Sequence, residues 1–155
     1  MTFPDFEEFI ALLNAHRVRY LVVGGYAVGF HARPRATKDI DILVDRTPAN
    51  AKRVRAAIRA FLGTDASNVT EAKLQNPRTL IVLGVAPVRI DILTSIDGVP
   101  SFATAWKRRA KGCYGRAPVT FVALEDLLAS KRAAGRPQDL ADADVLERAA
   151  RRRRR

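Results

Sequence analysis

The chain has a single cysteine, Cys113, in 155 residues. An internal disulfide framework is therefore excluded. With no paired Cys and no His close by in sequence, Cys113 also argues against a zinc site or a thiol nucleophile. Long apolar runs are missing as well. Nothing approaches the roughly 20 unbroken apolar residues that span a bilayer. The first residues, Met1-Thr2-Phe3-Pro4-Asp5, lack the charged-then-apolar layout of a secretory leader. These absences predict a cytoplasmic protein with no membrane partner. Acids are also scarce: 16 Asp and Glu stand against 27 Lys and Arg, for a net charge of +11. Arg151 to Arg155 supply five of those charges and leave six on the rest of the chain. Such a surface attracts polyanions, so RNA or nucleotide phosphate is the expected partner; a merely solvated basic surface is the plainer alternative.

What is present is enough for a core. Apolar residues make up 48% of the chain, which is ordinary for a globular protein. The length predicts one domain over residues 1–150, closing on helices over 123–150, with residues 151–155 as a disordered basic tail.

The most informative stretch runs from Leu21 to Asp45. Leu21-Val22-Val23 reads as the end of a strand that breaks on Gly24-Gly25, a turn into a short helix over Tyr26 to His31. Backbone N–H groups at such a turn can receive phosphate oxygens. Lys38-Asp39-Ile40-Asp41-Ile42-Leu43-Val44 then alternates acids with apolar residues. Side chains two apart on a strand share a face. Asp39 and Asp41 are thus set side by side, with Ile40, Ile42 and Val44 opposite. Two neighbouring acids repel unless a cation sits between them, and a hard divalent ion with a preference for oxygen is suited to the place. A third strand, Val88-Arg89-Ile90-Asp91-Ile92-Leu93, flanks Asp91 with Ile as Asp41 is flanked. If the two strands are neighbours, three carboxylates converge where one or two magnesium ions would assist phosphoryl or nucleotidyl transfer.

Gly24-Gly25, then Asp39-x-Asp41, then a lone strand acid Asp91, resembles the DNA polymerase beta-type nucleotidyltransferase superfamily. The text Gly24-Gly25-Tyr26-Ala27 … Arg35-Ala36-Thr37-Lys38-Asp39-Ile40-Asp41 is similar to the small bacterial AbiEii-type enzymes, several of which are toxins of toxin–antitoxin pairs. Lys131 and the segment Arg136-Pro137-Gln138-Asp139-Leu140-Ala141-Asp142 resemble that subgroup's C-terminal helices. The resemblance implies an α+β nucleotidyltransferase fold, a short mixed twisted sheet flanked by helices. It implies transfer of a nucleoside monophosphate from an NTP to an acceptor such as RNA or a tRNA end. Asp39, Asp41 and Asp91 would hold Mg2+ and carry catalysis. Gly24 and Gly25 would seat phosphates, and a cognate antitoxin or toxin protein would be a partner. Two departures stand out: Tyr26 where many relatives have Ser, and Gln138 where the pattern usually has Lys. Two other readings stay open, a nucleotidyltransferase-fold antitoxin or binding module without transfer, and a small-molecule enzyme of the aminoglycoside type.

Arg35 and Thr37, just upstream of the acids, either touch the triphosphate or structure the site, and Arg35 has the further option of balancing Asp39 or Asp41. On the helix with Leu124, Leu127 and Leu128, Lys131 falls on the apolar side and Arg132 does not. An inward lysine needs an anion. The resemblance makes that anion the triphosphate; a lysine reaching past the core to water is the alternative. Asp139 is expected either to pair with Lys131 or Arg136 or simply to favour its helix N-terminus. Elsewhere, Phe6, Ile10 and Leu13 mark an N-terminal amphipathic helix, and Thr47-Pro48 to Gly63 bounds a basic one. Val69 to Leu74 reads as a strand. His31 reads as structural or surface, and Trp106 as core or domain edge.

Overall fold

The computed structural model describes residues 2–154. Helix α1 (Pro4–Ala15) leads to strand β1 (Tyr20–Val23), helix α2 (Gly24–His31) and strand β2 (Asp39–Val44). Helices α3 (Pro48–Leu62) and α4 (Glu71–Gln75) precede strands β3 (Leu80–Leu83) and β4 (Arg89–Leu93). Helix α5 (Phe102–Lys107), the hairpin of β5 (Ala110–Tyr114) and β6 (Ala117–Phe121), and helices α6 (Leu124–Ala134) and α7 (Pro137–Arg153) complete the chain. The six strands form one sheet in the order β3-β4-β2-β1-β6-β5. It is mixed: β1 runs antiparallel to β2, whereas β2 pairs with β4 and β1 with β6 in parallel. This is the expected α+β class, a mixed sheet flanked by helices.

Local chemistry accounts for the element ends. The Thr47 hydroxyl accepts the Asn50 N–H at 3.2 Å, Pro48 occupies the first turn, and Gly63 at φ 75° closes α3. Ser101 caps α5 in the same way, accepting from Thr104 N–H at 3.2 Å.

The sheet's two faces are used differently. Tyr20 and Val22 share one face with Ile40, Ile42 and Val44, and with Ile90 and Ile92. All seven are buried. The Tyr20 hydroxyl donates to Asn14 Oδ1 at 2.9 Å, which places this face against α1. Each fully buried Ile there contributes roughly 2 kcal/mol of hydrophobic stabilisation, so β2 and β4 are anchored by their isoleucines. The opposite face carries Val23, Asp41, Leu43 and Leu93, which line a cleft of about 900 Å³ together with Leu127, Ser130 and Lys131 of α6. The acids therefore sit on an open face because the apolar alternation holds the strands from behind.

Two expectations are corrected. Val69 to Leu74 is not a strand; residues 71–75 are helix α4. The Thr70 hydroxyl accepts the Lys73 N–H at 3.1 Å, and Glu71 sits in the first turn, so the cap and dipole outweigh the β-branched residues. The arginine tract is helical at its start, since α7 continues through Arg153. Arg151 pairs with Glu147 at 3.2 Å and Arg153 donates to the His31 carbonyl at 2.9 Å. Cations at a helix C-terminus also suit its dipole. Arg155 lies outside the described residues. Among the described residues no helix is long and apolar enough to cross a membrane.

Candidate active site

Parallel pairing of β2 with β4 puts Asp41 level with Asp91 and Asp39 level with Arg89. Carboxylate oxygens of Asp39, Asp41 and Asp91 consequently lie within 4.8 Å of one another. Repulsion within the cluster is visible in the acidity of Asp39 and Asp41. Burial, then the charges of Asp39 and Asp91, push the Asp41 carboxyl up to about 7. Asp39 is raised by burial and then by its contact with Asp91. Such a cluster, all oxygen and short of positive charge, fits a hard divalent cation.

The glycine corner closes over these acids. Gly24 takes φ +66°, and a Cβ there would lie 2.1 Å from Asp41 Oδ2. Only glycine meets both demands. A Cβ on Gly25 would lie 3.2 Å from Thr37 Cβ and 3.3 Å from Arg35 Nε and Nη2. The corner thus packs against Asp41, Arg35 and Thr37, which follow it at the start of β2 and in the loop before it. Thr37 donates its hydroxyl to the Asp39 carbonyl at 2.6 Å, so its present partner is the backbone of the acidic strand. Tyr26, standing where a serine is common, packs edge-on against Phe6 and Tyr114 at 6.0 and 5.6 Å. It belongs to an aromatic cluster.

A second acidic pair lies at the start of α7. Asp139 and Asp142 are buried, and cations surround them. Arg136 donates through Nε and Nη2 to the two oxygens of Asp139, at 2.6 and 3.3 Å. Its hydrogen bonds hold the Asp139 carboxyl below the usual carboxylate range. Lys131 Nζ lies 3.4 Å from Asp139 Oδ1 and 3.1 Å from Asp142 Oδ2. Arg35 pairs with Asp142 Oδ1, which also accepts from Gln138 at 3.1 Å. Asp142 Oδ2 has no hydrogen-bond partner among the described residues. Lys131 is inward-facing, with a side chain 12% exposed, and it lines the cleft beside Gly24 and Asp41. Its anions in the structure are two carboxylates. The acid that Arg35 pairs with is Asp142, not Asp39 or Asp41.

A strand–glycine–helix corner thus faces two in-line acids and a third on the parallel neighbouring strand. A family model described as a nucleotidyltransferase of unknown function (DUF6036) matches residues 3–149. The chain belongs to this family. No curated protein matches it. As a nucleotidyltransferase, of the 2.7.7 type of transferase, it takes a nucleotide substrate.

Two residues beside these acids escape a reading of the sequence. Arg89 shares a strand face with Asp91 and grips it with two hydrogen bonds. Its two-residue spacing was the available signal. Asp142, one helical turn beyond Asp139, organises both Arg35 and Lys131. The i, i+3 spacing on a helix starting at Pro137 hinted at a shared face, but nothing local named its partners.

Proposed function

We propose that this enzyme moves a nucleoside monophosphate from an NTP to the hydroxyl of an RNA acceptor, such as a tRNA end, with Mg2+ as cofactor. The observation that carries the reading is the convergence of three strand carboxylates within 4.8 Å. Asp39, Asp41 and Asp91 hold the metal. When bound, Mg2+ supplies charge neutralisation on the triphosphate and polarises the phosphorus under attack. The acceptor oxygen forms a bond to the α-phosphorus, the α–β phosphoanhydride bond breaks, and pyrophosphate leaves. Asp91 takes the proton of the acceptor hydroxyl.

Gly24 and Gly25 present backbone N–H groups to the β- and γ-phosphates. Lys131, with three donors and two carboxylate neighbours, keeps a donor for phosphate. Arg35 gives one nitrogen to Asp142 and carries Nε and Nη2 over Gly25, where they add positive charge to the phosphate seat. Thr37 shapes the seat by fixing the Asp39 backbone.

The charge of the surface supports a polyanionic acceptor. Helix α3 exposes Lys52, Arg53, Arg55 and Arg59 along one side, and the net charge is +11. A cationic antibiotic would be repelled by the same surface. Purified protein incubated with each labelled NTP and total RNA is expected to label RNA. Asp39→Asn and Asp41→Asn should each reduce labelling by about a hundredfold to a thousandfold; activity kept in full would remove the assignment.

One observation favours a second reading, a binding module that pairs with a cognate toxin or antitoxin: Asp91 already has a cationic partner in Arg89. Expression of the chain alone separates the two. Growth arrest by the wild type and none by Asp39→Asn supports transfer as an AbiEii-type toxin would use it. Equal behaviour of the two supports the module.

A further inference from the structure

We propose that Arg89 is an internal counter-cation of the acidic cluster, which holds Asp91 until a divalent ion displaces it and so sets the affinity of the site for metal. The proposal rests on the metal-binding reading of Asp39, Asp41 and Asp91.

The argument begins with β4. Residues two apart on a strand share a face, so Arg89 stands beside Asp91 and, by register, level with Asp39 on β2. Its Nε donates to Asp91 Oδ1 at 2.7 Å and its Nη2 to Oδ2 at 3.1 Å. A guanidinium fork engages both oxygens of one carboxylate. Each Asp91 oxygen that would face a metal therefore already faces a cation.

Exposure makes the grip reversible. Asp91 is 9% exposed in its side chain and fixed in the sheet, whereas the Arg89 side chain is 41% exposed. When the guanidinium leaves, water can solvate it, so release costs little. A divalent ion arriving among three carboxylates brings twice the charge in a smaller radius. It displaces the arginine, or is repelled by it for as long as the fork stays closed. Metal affinity is thus the difference between two cations competing for Asp91.

Arg89 also explains how three acids coexist in the protein before metal binds. Its guanidinium forks onto Asp91, and its register partner on β2 is Asp39. The strand acids lie close together because a neighbouring cation offsets part of their repulsion.

Calorimetric titration of the full chain with Mn2+, without nucleotide, tests the competition. Arg89→Gln is expected to bind Mn2+ about tenfold more tightly than the wild type, as one lost charge-assisted pair at a half-exposed site implies. Arg89→Lys keeps the charge but cannot fork, and is expected to fall between, about threefold tighter. It also serves as the test should Arg89→Gln fail to fold. Arg116→Gln, in the exposed β5–β6 turn at the far side of the sheet from β4, removes the same charge elsewhere and should leave Mn2+ affinity unchanged, since exposed charges more than about 8 Å apart are screened. Equal or weaker Mn2+ binding by both Arg89 variants overturns the proposal while leaving the metal site standing. Absence of Mn2+ binding by the wild type and every variant overturns the metal site, and the role of Arg89 with it.

Discussion

Two groups of acids each place one member, Asp41 and Asp139, on one cleft, and their charges are met in opposite ways. Asp39, Asp41 and Asp91 sit on neighbouring strands with one forked partner, Arg89. Asp139 and Asp142 sit on one helix with Arg136, Lys131, Arg35 and Gln138 around them. The first group is short of positive charge, and Asp39 and Asp41 hold their protons more tightly than ordinary carboxyls. In the second, Asp139 releases its proton more readily than an ordinary carboxyl. Similar residues thus differ in what they still need. The helix pair has its charge matched internally and acts as a frame for Lys131 and Arg35. The strand cluster retains an unmet demand for a cation, and a protein keeps such a demand where a ligand meets it.

The largest effect expected from breaking the comparison is on the charge-matched side. Asp142→Ala removes the carboxylate that Arg35 and Lys131 share. Lys131 would then be left largely buried with one distant partner. A loss of about 3 kcal/mol in unfolding free energy is expected, as for removal of one member of a buried ion pair. Chemical denaturation measures it; a change under about 1 kcal/mol would show the network to be ornamental.

A smaller effect, of opposite sign, is expected on the unsatisfied side. The Asp41 carboxyl is raised from its ordinary 3.8 to about 7 in the folded chain. Between those values the folded state holds a proton that the unfolded chain has lost. Stability from this group is therefore full below about pH 4 and falls as pH rises to about 7. Asp41→Asn removes the loss. Without divalent ions, it should be more stable than the wild type at pH 8 by about 2 kcal/mol, half of the ~4 kcal/mol that the full shift implies because Asp41 is partly solvated, and by almost nothing at pH 4. Asp139 has the reverse sign: its folded carboxyl is depressed, so its contribution is present above the ordinary value and is lost as pH falls through the folded one. A wild type whose stability in metal-free buffer rises steadily from pH 4 to pH 8 would count against an uncompensated Asp41.

How much of this is legible in the chain depends on the range of each interaction. The alternation of Asp39-Ile40-Asp41-Ile42 fixes which side chains share a face, and the same rule applied to Ile90-Asp91-Ile92 brings the three acids together once the strands pair. Caps at Thr47 and Gly63 are read from neighbours a few residues away. Val69 to Leu74 misleads because β-propensity is weak beside a threonine cap. The pairing of Arg35 with Asp142 spans 107 positions and leaves no local trace. Arg89 shows a subtler gap. Its spacing from Asp91 is plain, but counting acids toward a metal site ignores a cation of the protein's own on the same face.

The last test turns on two adjacent residues of equal charge. Lys131 and Arg132 follow one another on α6, and both have acidic partners on α7. Burial separates them. Arg132 is 54% exposed and meets Glu147, itself 40% exposed, at 3.0 Å. Water screens that pair and both side chains lose freedom in making it, so Arg132→Ala should change stability by less than about 0.5 kcal/mol. Thermal or denaturant unfolding at moderate salt is sufficient to check it. A loss comparable to that of Asp142→Ala would mean that α6 and α7 are joined by their surface charges. The contrast between a buried, charge-matched network and a solvated one would then have no basis in energy.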